Sequence, residues 1–117
     1  MKNRPFRERL GFALAGLSEC WRKEASFRTH VVLGSMTIVA LLLLRPAPVW
    51  WALVGLVIAL VLAFELINSI LERLIDHLHP EVHSEIGHIK DMASGAVLLI
   101  SIGALAVAAA LLVELLA

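Results

Sequence analysis

Polar and apolar residues interleave over the first two dozen positions and then separate into long apolar runs. Phe6, Leu10, Ala13, Leu14, Leu17 and Trp21 recur at three- and four-residue steps, with Arg7, Glu8, Arg22 and Lys23 elsewhere. That spacing predicts an amphipathic helix over residues 1–24, lying in a membrane interface. The early basic residues are not followed by the compact apolar segment of a signal peptide. The run over 31–44 is short for a hydrocarbon core of about 30 Å, but residues 25–30 extend it into a span over 25–44. Pro46 and Pro48 then predict a tight, non-helical connection. A second span is expected over 49–75, with Trp50 and Trp51 as interfacial anchors, and a third over 92–113. Residues 77–88, broken by Pro80, read as a loop.

The second span does not end cleanly. It keeps its helical period while acquiring acids, and Glu65, Asn68, Glu72 and Asp76 fall in a stripe roughly 80° wide. With Trp51 at one interface and a rise of 1.5 Å per residue, Glu65 lies about 21 Å across, Glu72 about 31 Å and Asp76 about 37 Å. Glu65 is therefore expected inside the hydrocarbon and Glu72 at headgroup level. An acid at mid-helix costs about 3 kcal/mol to insert, so it calls for a role. Desolvation makes Glu65 a candidate proton acceptor, whereas Glu72, in a wetter place, suits a cation. Asn68 and Ser69 alone would pass as interhelical hydrogen-bonding groups. Two glutamates on one stripe repel each other unless a proton or cation intervenes.

Composition settles the class. Hydrophobic residues make up 60% of the 117 positions and charged ones 17%, and their clustering predicts an all-α integral membrane protein of one domain, 1–117. Net charge is zero, yet Lys2, Arg4, Arg7, Arg9, Arg22, Lys23 and Arg28 all precede the second helix's apolar run. The positive-inside rule therefore places the N-terminus and the 77–91 segment in the cytoplasm. Glu8, Glu19 and Glu24 interrupt the basic cluster, so no nucleic-acid partner is expected. The single cysteine, Cys20, excludes an intrachain disulfide. Three spans are too few to enclose a polar site, and Gly95, Gly103, Ala104 and Ala108 permit close helix contact, so a homo-oligomer is expected.

Further candidates lie at the same membrane face. Glu24, at the junction before the first span, can pair with Arg28 at i, i+4, or stand with Glu72 as a two-carboxylate site for Mg²⁺. Magnesium takes one or two protein carboxylates and completes its shell with water and substrate phosphates. Lys90 is either a snorkelling end charge or a phosphate contact, with Asp91 beside it and Ser94 one turn on. His77, His79 and His83 lack a zinc spacing, and neither type of Gly-rich phosphate loop is present. Two classes fit: an interfacial enzyme acting on a lipid headgroup, or a small ion or proton conduit. Because the stretch 53–64 carries no polar residue, the one-sided polarity favours the enzyme.

The stretch Glu65-Leu-Ile-Asn68-Ser69-Ile-Leu-Glu72-Arg-Leu-Ile-Asp76 resembles the signature Glu-x-x-Asn-[Ser/Thr]-x-[Ile/Leu]-Glu-x-x-x-Asp of the prokaryotic diacylglycerol kinase family. The resemblance extends to Lys23-Glu24-Ala25-Ser26-Phe27-Arg28 and to the segment from His83 through Lys90-Asp91-Met92-Ala93-Ser94-Gly95. It implies a homotrimer of the bacterial inner membrane that transfers the γ-phosphoryl of MgATP to 1,2-diacylglycerol, with active sites shared between subunits. On the matching positions, Glu65 would be the general base and Asn68 would orient the site. Glu24 and Glu72 would hold Mg²⁺ with the nucleotide. Lys90, Asp91 and His83 would lie on the nucleotide side, and Arg28 and Ser94 nearer the lipid. Phe27-Arg28-Thr29-His30 is more similar to the undecaprenol kinase branch, whereas Ile89-Lys90-Asp91-Met92-Ala93-Ser94 is more similar to the diacylglycerol branch.

Overall fold

Pro5 sets the start of the first helix, where its carbonyl accepts from the N–H groups of Glu8 and Arg9. The computed structural model describes residues 2–81 and 83–117. They form α1 (Phe6–Lys23), α2 (Ala25–Leu44), α3 (Pro48–Leu78) and α4 (Ser84–Leu116). Glu8 in the first turn of α1 and Arg22 and Lys23 in its last complement the helix dipole. Glu24, in extended backbone, separates α1 from α2. Arg28 reaches back across this joint, donating from Nη1 to the carbonyls of Trp21 at 2.8 Å and Arg22 at 3.0 Å. It thereby satisfies carbonyls that α1 leaves open at its end. The expected Glu24–Arg28 pair does not form, because the guanidinium is taken up by that cap.

Helix α2 ends as expected at Leu44, with Arg45 in the left-handed region (φ 49°) as its C-cap. Pro48 is not part of a turn, as its spacing from Pro46 predicted; it is the first residue of α3. There its missing N–H costs nothing and its fixed φ suits the helix. A second correction concerns the loop expected over 77–88. Helix α3 continues through His77 and Leu78, and α4 begins at Ser84, leaving 79–83 between them, of which 82 lies outside the described residues. The apolar run alone located the span and missed the helix ahead of it. That extension has its own start signal: His83 Nδ1 accepts from the Glu85 N–H at 3.1 Å, and Glu85 sits in the first turn.

α2, α3 and α4 are each long and apolar enough to cross a membrane. At 1.5 Å per residue, the 31 residues of α3 reach about 46 Å, beyond a hydrocarbon core. Their outward apolar surfaces are bare: Leu43, Leu99 and Leu105 are 78%, 72% and 70% exposed. In water such faces would be unstable; in lipid they are at home. On α1, Phe6, Leu10, Leu14 and Trp21 are likewise exposed.

The apolar core lies toward the Pro-containing connection, where Leu41, Val54 and Leu111 come together from α2, α3 and α4. Trp50, Trp51 and Ile58 pack against it. Farther along, Gly34 on α2 is buried against α3. A Cβ at Gly34 would meet Ile58 Cγ2 at 3.0 Å, so the glycine leaves the room that the Ile58 side chain occupies. His30 is one turn from Gly34 along α2, and Glu65 is two turns from Ile58 along α3, in the direction of the acidic stripe.

Candidate active site

The buried residues of α3 are Val54, Val61, Glu65 and Ser69. Spaced at seven, four and four, they make one inward stripe whose character changes from hydrocarbon to polar between Val61 and Glu65. Glu65 and Ser69, each 6% exposed, are the buried polar side chains among the described residues. Asn68 and Glu72 are half-buried and Asp76 is exposed. The stripe read from the sequence thus grades outward from a buried acid to a surface one.

Two contacts at the buried end join distant parts of the chain. His30 Nδ1 on α2 lies 3.1 Å from Glu65 Oε1, without the alignment of a linear hydrogen bond. Cys20 on α1 is buried beside Ser69, and burial pushes its thiol up against the opposing effect of the Ser69 hydrogen bond. Asn68 Oδ1 is buried with no partner among the described residues. An orphaned buried carbonyl oxygen costs about 1–3 kcal/mol.

Nearer the end of the stripe lies a charged cluster that the sequence pattern did not single out. Arg73 on α3 stands 3.6 Å from Glu24 and 3.6 Å from Glu19. Glu19 also meets Arg22 at 2.6 Å and Lys23 at 2.9 Å. The Lys23 hydrogen bond, with charge from both cations, holds the Glu19 carboxyl below its ordinary value. The i, i+3 and i, i+4 pairs within α1 were legible in its spacing. The link to Arg73 was not, since it joins residues more than fifty positions apart.

Glu24 and Glu72, the expected metal pair, are both half-buried at this end, and Glu24 contacts Arg73, the neighbour of Glu72. No group of three His, Cys, Asp or Glu side chains among the described residues could ligate a metal. The donor set suits a hard cation held by one or two carboxylates and completed by water and phosphate oxygens, as Mg²⁺ is, and not an all-protein cage. His77, His79 and His83 likewise form no zinc cluster.

Lys90 pairs with Asp76 across the α3–α4 hairpin. This gives Asp76, the outermost acid of the stripe, a partner. Asp91 and Ser94 are exposed on the first turns of α4, with His83 at its cap. Arg28 serves the α1–α2 joint. The structure therefore brings His30 to Glu65 and Cys20 to Ser69 along the buried part of the stripe, and Glu24 to Arg73 nearer its end. Lys90 and Asp76 form a third group at the hairpin.

A comparison with protein families gives a match to the model described as prokaryotic diacylglycerol kinase, over residues 11–112. No curated protein matches the chain. The matched stretch contains every residue placed above in the three groups.

Proposed function

The chain belongs to the prokaryotic diacylglycerol kinase family, a multi-pass membrane lipid kinase by that membership, and we propose that it transfers the γ-phosphoryl of MgATP to the primary hydroxyl of 1,2-diacylglycerol. The observation that carries this reading is the single buried acid, Glu65, placed at the point where the α3 stripe turns from apolar to polar. A lipid hydroxyl sits at such a boundary, while a nucleotide arrives from water at the end where Glu24, Glu72 and Lys90 lie.

Glu65 takes the hydroxyl proton as the lipid oxygen attacks the γ-phosphorus, and ADP leaves with the electron pair of the broken P–O bond. Asn68 orients the site. Glu24 and Glu72 would hold Mg²⁺, which would supply charge neutralisation to the transferring phosphoryl group. Lys90 and Asp91 contact the nucleotide, with His83 near them, and Arg28 and Ser94 lie toward the lipid. The site is shared between subunits of a homotrimer in the bacterial inner membrane, with its N-terminus and active site cytoplasmic and α1 in the interface. The unpartnered Asn68 oxygen and the open surroundings of Gly95 and Gly103 support that assembly.

Undecaprenol is the second reading of the acceptor, favoured by the Phe27-Arg28-Thr29-His30 sequence. A conduit is disfavoured because both buried polar residues lie in the same half of α3. Purified protein is assayed with radiolabelled ATP against diacylglycerol and undecaprenol in mixed micelles. Label in phosphatidic acid is expected. Preferential labelling of undecaprenol moves the assignment to the other branch. Labelling of neither lipid, with ion flux through liposomes lacking nucleotide, replaces the kinase by the conduit.

A further inference from the structure

The base proposed above has a difficulty of its own. Glu65 is buried, and each turnover leaves a proton on it that must return to water before the next. The side chain in contact with its carboxylate is His30, whose Nδ1 is 3.1 Å from Oε1 and carries no hydrogen bond in the described structure. The two side chains differ in access: Glu65 is 8% exposed and His30 27%. His30 is the sixth residue of α2, within two turns of the Glu24 joint.

We propose that His30 is a positioning residue that holds Glu65 and carries its proton out. This deepens the kinase reading and rests on it. Glu65 Oε1 receives the proton of the lipid hydroxyl as the new O–P bond forms and the bond to ADP breaks. The proton passes from Oε1 to Nδ1, and the imidazole releases it to water, which restores the carboxylate. Imidazole is suited to this because it exchanges protons near neutral pH. Of the titratable groups, Cys20 from α1 lies near Glu65, and Glu24 at the joint and Arg73 on α3 lie near Cys20. Among the described residues, no ion pair brings a charge from α4 to either member; Lys90 turns to Asp76. Gly34, one turn from His30 on α2, packs against Ile58, two turns from Glu65 on α3.

The test uses His30→Gln and His30→Ala in the full-length protein, with assembly checked by gel filtration. Gln keeps a polar group but cannot carry a proton. We expect kcat to fall by about 10²-fold in both, with KM for ATP and for lipid within about twofold of wild type. Imidazole added to His30→Ala should recover activity, and thiazole, of the same shape but far weaker basicity, should not. Full kcat in His30→Gln, or equal recovery with thiazole, overturns the relay and leaves only packing. Glu65→Gln separates this from the parent reading: if that variant turns over normally, the base assignment fails, whatever His30 does. An activity-independent readout is infrared difference spectroscopy of the Glu65 carboxyl, identified by its loss in Glu65→Gln. The position of the Glu65 carboxyl bands should shift between wild type and His30→Gln, because the group facing Oε1 changes. An unchanged band counts against the pairing.

Discussion

The two ends of α3 are built from the same helix and do opposite things. Around Val54, three helices meet through Leu41, Val54 and Leu111, with two tryptophans packed alongside and no polar side chain in the cluster. Three turns on, the inward positions become Glu65 and Ser69, and the neighbours become His30 and Cys20. The apolar end involves α2, α3 and α4, and the polar end draws in α1. One end fixes the helices relative to one another, and the other holds groups that would be costly in hydrocarbon without a task. The acidic stripe is carried on a helix whose other end is already fixed by packing against α2 and α4.

The crossing at Gly34 joins the two ends, and breaking it is expected to have the largest effect among the supporting changes. Gly34→Leu drives α2 from Ile58 and displaces His30 from Glu65. A misplacement of about 1 Å costs on the order of 10²-fold in turnover, and Ile58→Ala in the same chain should recover part of it. Turnover unaffected by Gly34→Leu would mean that the contact at the polar end does not depend on this crossing.

Lys90 sharpens the assignment of the nucleotide side. Lys90→Met should raise KM for ATP by about tenfold, the loss of one charge-assisted hydrogen bond. Asp76→Asn removes the same ion pair and should leave KM for ATP unchanged. Equal effects from the two would make the pair purely structural.

Arg73→Gln releases Glu19 and Glu24 together and should lower stability by about 1 kcal/mol, the scale of partly exposed pairs. Faster proteolysis at the α1–α2 joint is the readout, and an unchanged rate would show that Arg73 does not hold it. The smallest effect concerns Glu19. Its carboxyl is held below the ordinary value in the folded chain, so its contribution is present above the unfolded-state value and is lost as pH falls through the folded one. Glu19→Gln should therefore lower the thermal midpoint slightly at neutral pH and not at all in strong acid.

Much of this was legible from local pattern. The bounds of α2 and the family signature both reside in short windows of sequence. Pro48 and the start of α4 were misjudged because the apolar run marks where a helix meets lipid, not where it begins. The extra turns are held by a His83 cap and a helix-compatible proline. The partners of the site escaped for a different reason. His30 with Glu65, Arg73 with Glu19, and Cys20 with Ser69 are each separated by 35 residues or more, and no periodicity within one helix specifies which residue of another it meets. Gly34, which packs against Ile58 of α3, looked like any small residue in an apolar run.

The most direct measurement compares matched changes at the two ends in one phosphoryl-transfer assay, Glu65→Gln at the polar end and Val54→Ala at the apolar end. The account predicts that Glu65→Gln loses about 10²–10⁴-fold in kcat while assembling normally. Val54→Ala should melt earlier yet turn over at close to the wild-type rate. If Glu65→Gln keeps its turnover, or loses it only by failing to assemble, the division of α3 into a packing end and a chemical end is contradicted.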